Sequence, residues 1–195
     1  MPLQTEFEIK FFIQSRAELI EKLIALWATQ VYPERLMRRV NIDPVEGYTG
    51  KKRARIRDEW DKITCTFKSL ADDTSTIDCV QEVECTISDF DTMIAIFQWL
   101  GVDYKNYQET RREKRHLYLG NKLVECCLDE RPGIPPFIEI EWPDQAIVEL
   151  VATQLWFSLK TWFFGSADLI YETLGICSAR DVNHRKHLSF DTYPQ

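Results

Sequence analysis

The chain has 195 residues, 45% of them hydrophobic and 28% charged, with a formal net charge of -7. That length suits one domain with a sizeable core, and the acidic balance argues against bulk binding of nucleic acid or of an anionic membrane. The N-terminus runs into Glu6 and Glu8 with no apolar leader, and no apolar run approaches the roughly 20 residues that span a bilayer, so a soluble, cytoplasmic protein is expected.

The first strand is expected over residues 3–13, where Glu6, Glu8 and Lys10 alternate with Phe7, Ile9 and Phe11, because successive strand side chains point to opposite faces. Ser15 then caps a helix carrying Leu19, Leu23, Ile24, Leu26 and Trp27 at helical spacing, with Tyr32-Pro33 as its end. A second strand covers roughly 35–42, with Met37, Arg39 and Asn41 on one face, and Pro44 to Gly50 forms a loop. Residues 52–58 and 62–70 read as a hairpin around Glu59-Trp60-Asp61. Its first arm sets Arg53, Arg55 and Arg57 against Ala54 and Ile56; its second sets Thr64, Thr66 and Lys68 against Ile63, Cys65 and Phe67.

A fifth strand, about 76–87, carries Glu82 and Glu84, and Ser88 caps a helix near 89–100 that stops at Gly101. Residues 107–119 carry Arg112 and Lys114 on one face, and Gly120-Asn121 turns the chain into 122–129, with Glu125, Cys127 and Asp129 on one side. Phe137 to Trp142 is the last strand, with Glu139 and Glu141 on one face. Asp144 opens a helix that includes Ile147, Val148, Val151, Leu155 and Leu159, and a shorter helix follows over 167–174. Residues 1–176 are read as one domain, and the aperiodic polar stretch 177–195 as a loosely ordered tail. Cys65, Cys79, Cys85, Cys126, Cys127 and Cys177 lack C-x-x-C spacing and are read as free, buried, structural thiols in a reducing compartment.

The result is an α+β pattern of eight strands, each with one apolar face and one bearing charges of both signs. A solvated face explains any one strand. It explains less well a face that gathers Glu6, Glu8, Lys10, Arg53, Arg55, Arg57, Lys68, Glu82, Glu84, Arg112, Lys114, Asp129, Glu139 and Glu141. Eight strands are about the number that close into a small barrel. With this face inward and helices outside, the barrel is a tunnel whose charged lining needs a partner. A polyphosphate with divalent metal is such a partner: cations meet its oxygens, and carboxylates hold Mg²⁺ or Mn²⁺.

The ordered set Glu6-x-Glu8-x-Lys10, Arg-x-Arg within Arg53-Ala54-Arg55-Ile56-Arg57, Lys68, Glu82-x-Glu84, Arg112, Asp129 and Phe137-Ile138-Glu139-Ile140-Glu141 resembles the CYTH domain, or triphosphate tunnel metalloenzymes, over residues 4–175. That family includes adenylate cyclases, thiamine triphosphatases and inorganic triphosphatases. The chain departs from it at Ala54, usually Leu, at Thr110, usually basic, at Arg115, usually aromatic, and at Ile134-Pro135-Pro136, usually a short glycine turn. Lys114 or Arg111 then stands in for the base missing at Thr110. The resemblance implies Glu6, Glu8, Glu139 and Glu141 as metal ligands, assisted by Asp129 and by Glu82 or Glu84. It implies Lys10, Arg55, Arg57, Lys68 and Arg112 as phosphate contacts, with Arg39, Arg53 and Lys114 as weaker candidates.

The activity expected is Mg²⁺- or Mn²⁺-dependent hydrolysis of a small triphosphate, such as tripolyphosphate or thiamine triphosphate. A cyclase making cyclic AMP from ATP and a non-catalytic polyphosphate-binding module are the alternatives. No nucleic acid or membrane partner is expected, and a homodimer is left open.

Overall fold

The computed structural model describes residues 7–42, 52–70, 80–142, 144–161, 163 and 168–192. Among these, β1 (Phe7–Phe12) leads into α1 (Arg16–Ala25), and β2 (Thr29–Ile42), β3 (Lys52–Asp58), β4 (Ile63–Leu70) and β5 (Val80–Ile87) follow. After α2 (Phe90–Trp99) come β6 (Asn106–Leu119), β7 (Lys122–Arg131) and β8 (Ile134–Trp142). The chain ends with α3 (Gln145–Gln154), α4 (Asp168–Thr173), α5 (Ala179–His184) and the two-residue β9 (His187–Leu188). No helix among the described residues is long and apolar enough to cross a membrane.

Local chemistry sets the helix limits. Ser15 caps α1 as expected, its Oγ accepting from the Glu18 amide. The helix does not run on to Tyr32-Pro33. Trp27 takes a left-handed conformation (φ 63°) and the Ala28 amide reaches back to the Leu23 carbonyl, closing the helix just past its last buried leucine, Leu23. Tyr32-Pro33 instead lies within β2, where register shifts between Gln30, Tyr32 and Arg35 absorb a residue that cannot donate to the ladder. The cap of α2 is Asp89 rather than Ser88, accepting from the Thr92 amide at 2.7 Å. Asp144 caps α3, which stops at Gln154, so Leu159 packs on the core from beyond the helix.

The strands form one sheet in the order β1-β8-β7-β6-β2-β3-β4-β5, with β9 on β6. All pairs are antiparallel except β6 with β9. The eight expected strands are present and β9 makes nine. No ladder joins β1 to β5 among the described residues; the free edge of β1 bonds instead to Phe163, through Lys10 N to Phe163 O and Phe163 N to Lys10 O.

Helices α1 and α3 cover the apolar face of β1, β6, β7 and β8 through Leu19, Leu23, Val148, Val151 and Leu155, and α2 covers that of β2 and β3 through Phe90. The tail expected to be loose is folded as far as residue 192: Val182 of α5 and Leu188 of β9 are buried with Phe137, Ile170 and Tyr171. This cluster lies at the Phe12–Phe137 end of the charged face, since Phe12 pairs with Phe137 one row beyond Lys10 and Glu139.

The charged face is itself shielded. Lys10, Thr64, Thr66, Gln108 and Asp129 are all at most 2% exposed. Burial raises the Asp129 pKa, and Arg57 on β3 lies near enough to this β7 carboxylate to act against that rise, as Arg112 on β6 lies near enough to favour the charged form of Glu59 in the β3–β4 turn. In a flat sheet, β3 and β7 stand three strand spacings apart, about 14 Å. The sheet is curled, and its charged walls approach each other.

Candidate functional site

Register decides which side chains meet. Glu8 stands opposite Glu141 and Lys10 opposite Glu139, while Glu141 and Glu139 face Glu125 and Cys127 on β7. A second row crosses the sheet as Gln108, Arg39, Arg57 and Thr64, and a third as Asn106, Asn41, Arg55, Thr66 and Glu84. One wall is acidic and the other basic.

On the acidic wall, one carboxylate oxygen from each of Glu8, Glu139 and Glu141 lies within 4.8 Å of the others. Carboxylates placed directly opposite each other repel, so the cluster needs counter-charge. Lys10 Nζ supplies part of it, 2.7 Å from Glu8 and 3.6 Å from Glu139, with a side chain only 3% exposed. Arg112 supplies more, its Nη2 3.1 Å from Glu139. Three carboxylates on rigid strands suit a hard divalent cation of the Mg²⁺ or Mn²⁺ kind, and Glu8, Glu139 and Glu141 are the residues that would hold it. Glu6 lies outside the described residues.

Asp129 is not among those three. Arg112 holds it in a two-pronged fork, donating from Nε to Oδ1 at 2.6 Å and from Nη2 to Oδ2. Burial disfavours charge on Arg112, but the carboxylates of Asp129 and Glu139 outweigh it and hold the guanidinium pKa well above its usual value. Burial pushes the Cys127 thiol up, and Asp129 and Glu139 add to this against Arg112 and Lys114, so the thiol stays neutral within the site.

On the basic wall, Arg39 donates from Nε and Nη2 to Gln108 Oε1 at 3.0 and 2.7 Å, and Arg57 donates to Glu59 at 2.9 Å. Arg39, Arg57, Thr110 and Arg112 line one small cavity. Arg55 shares the third row. Lys114 is on the Arg112 face, paired with Glu125 at 2.6 Å. Arg111 points the other way, over the ring of Phe190, so strand alternation bars it from standing in for a base at Thr110. Glu84 accepts from Thr66 and lies 3.6 Å from Lys62, apart from the acidic cluster. The Arg53, Lys68 and Glu82 backbones are in register, and their side chains lie outside the described residues.

Gln108, Thr110 and Glu59 were not candidates from the sequence. The first two could have been found by extending the even-numbered face of β6 back from Arg112. Gln108 Nε2 and Thr110 Oγ1 are buried without a hydrogen-bond partner among the described residues, two donors available to a bound oxygen.

Glu59 offers a pH test. Burial raises its pKa, but Arg57 and Lys62 prevail and hold it below the usual glutamate range. A depressed carboxyl pKa adds stability that is fully present above the unfolded-state value and lost as pH falls through the folded-state one. Glu59→Gln should therefore destabilise the protein at pH 7 by of order 1 kcal/mol and have little effect near pH 3. Urea unfolding of both proteins at the two pH values measures this; an equal difference at both would exclude the ion pair as its source.

Solved structures share this fold. A conserved hypothetical protein from Pyrococcus furiosus matches with a TM-score of 0.63 and 24% identity, over 83% of this chain and 97% of that one. A putative adenylate cyclase from Vibrio parahaemolyticus matches with a TM-score of 0.69 and 14% identity, over 88% and 99%. A putative adenylyl cyclase from Hippeastrum with a dominant triphosphatase activity matches with a TM-score of 0.54 and 15% identity, over 90% and 97%. A search of curated proteins gave no match. The CYTH domain model matches residues 4–161, which take in every strand from β1 to β8, and the chain belongs to the CYTH domain family.

Proposed function

We propose that this protein hydrolyses a small or inorganic triphosphate with the help of Mg²⁺ or Mn²⁺, and that β1 and β5 come together to close the curled sheet into an eight-stranded tunnel. The observation that carries the proposal is the carboxylate trio of Glu8, Glu139 and Glu141 beside Lys10 and Arg112, facing a wall with Arg39 and Arg57. Family members are metal-dependent triphosphatases and adenylate cyclases, and the Hippeastrum relative has a dominant triphosphatase activity.

Each side chain has work that follows from its position. Arg39, Arg57 and Arg112 neutralise phosphate oxygens, with Arg55 extending the same wall, and their fixed directions suit a chain of tetrahedral anions; Lys68, expected from the sequence, is a further candidate contact. Gln108 and Thr110 donate to oxygens that the guanidiniums leave bare. Lys10, held between Glu8 and Glu139, balances charge as the terminal phosphoryl group transfers. A cation bound to the trio supplies charge neutralisation and an acidified water. Most of the rate then comes from alignment and electrostatics.

Hydrolysis of a linear triphosphate needs only these groups, whereas cyclisation also needs a base pocket that holds a ribose hydroxyl in line with the α-phosphorus. One panel decides: tripolyphosphate, thiamine triphosphate and ATP, each with Mg²⁺ and Mn²⁺, assayed for phosphate and cyclic AMP. The expected result is phosphate release, fastest with the non-nucleotide substrates. Cyclic AMP with little phosphate would establish the cyclase, and tight binding without turnover a binding module. Arg57→Gln should weaken all three substrates by a similar factor, about 10-fold or more, because it meets phosphate and not the group attached to it. Selective loss of one substrate would overturn that role.

A further inference from the structure

On the outer face of the sheet, away from the acidic trio, Cys65 of β4 stands directly opposite Cys85 of β5. Facing residues of an antiparallel pair have Cα atoms about 4.5–5.5 Å apart, inside the range of about 4.4–6.8 Å that a disulfide accepts. Cys85 Sγ lies 3.7 Å from the Cys65 carbonyl oxygen, so the thiol already leans over its partner's peptide group. Both are free thiols. Cys85 is exposed on the last strand of the sheet path, while Cys65 is half-buried beside the cluster that packs on α2. Cys126 and Cys127 are neighbours on β7 and point to opposite faces, so they form no such pair.

We propose that Cys65 and Cys85 form a reversible dithiol–disulfide site that takes a low-molecular-weight disulfide, of the oxidised glutathione class, as its co-substrate. Accessibility orders the steps. The Cys85 thiol loses its proton to solvent and attacks one sulfur of the small disulfide, whose S–S bond breaks and releases one thiolate. Deprotonated Cys65 then attacks Cys85 Sγ in the mixed disulfide and expels the second thiolate. The two cysteines lose two electrons, and the small disulfide is reduced to two thiols. Burial, reinforced by the adjacent Cys85 thiol, raises the Cys65 pKa, in keeping with its place as the second, slower nucleophile. The new bond ties β5 to β4 beside Thr66 and Glu84, which already bond across the same two strands on the inner face.

The test uses the full chain treated with oxidised glutathione, acid-quenched and mapped as non-reduced peptides. The expected product is a Cys65–Cys85 linked peptide that disappears with dithiothreitol, and oxidation should slow amide exchange in β5 by about tenfold or more. Cys65→Ser should stop at a stable glutathione adduct on Cys85, with Cys65→Ala as the apolar replacement if the serine variant does not fold. A wild-type chain that keeps glutathione on Cys85 without the internal bond, leaves Cys85 unmodified, or links Cys85 to Cys79 instead would overturn the proposal.

Discussion

Glu141→Gln is expected to lower turnover by about 10²–10³-fold with the fold intact, the scale seen when one preorganised electrostatic contact is removed from an active site. The substitution keeps shape and removes one negative ligand from the trio formed with Glu8 and Glu139. Because Glu141 faces Glu8 in register, the neutral amide also relieves a like-charge pair. The metal-free variant should then match or exceed wild type in stability, by up to about 1 kcal/mol. Added Mn²⁺ should separate them the other way. A ligand at 100 times its Kd stabilises the folded state by about 2.7 kcal/mol, and the variant should lose most of that gain. Thermal unfolding with and without Mn²⁺, read beside activity, makes the comparison. Unchanged turnover at saturating metal in both Glu141→Gln and Glu8→Gln would sink the metal assignment.

The second large effect is on stability. Asp129→Ala leaves Arg112 buried without the carboxylate that holds it from two sides, and breaking a buried pair costs about 3–5 kcal/mol. Glu139 remains 3.1 Å from Arg112, which places the expectation near the lower end, about 3 kcal/mol. Pairing Asp129→Leu with Arg112→Met should recover part of the loss, because the Asp129–Arg112 pair is removed together, while Glu139 loses its Arg112 contact and keeps only Lys10. Urea unfolding of the single and double variants tests this. A loss under about 1 kcal/mol for Asp129→Ala would mean that water or Glu139 already solvates Arg112.

The strand alternation made the two walls legible before any coordinates: Glu8, Lys10, Glu139 and Glu141 share a face in the sequence and in the sheet. Pairing was not legible. Nothing local to Asp129 says that its partner is Arg112, since that contact depends on the β6–β7 register. Proline misled at Tyr32-Pro33, because a breaker and a bulge look alike until the partner strand is known. The C-terminal stretch was misjudged for a different reason. Its α4 and α5 have six residues each, too few for a helical repeat to show, and the anchors Val182 and Leu188 are single apolar residues in a polar run. Cys85 was expected to be buried with the other thiols, but β5 is the last strand of the path and leaves it exposed.

The pairing of β1 with β8 also governs when the protein can come into being. Phe7–Phe12 is made before its partner Ile134–Trp142, which emerges only after every other long strand of the sheet. At typical synthesis rates β1 waits on the order of ten seconds with both edges open, a period in which an apolar strand can pair with another chain. Glu8 and Lys10 make it a poor template for stacking against a copy of itself. The same charges that gather at the candidate site thus guard the nascent strand, and changes that neutralise Glu8 and Lys10 together carry a hazard during synthesis that the finished protein would not reveal.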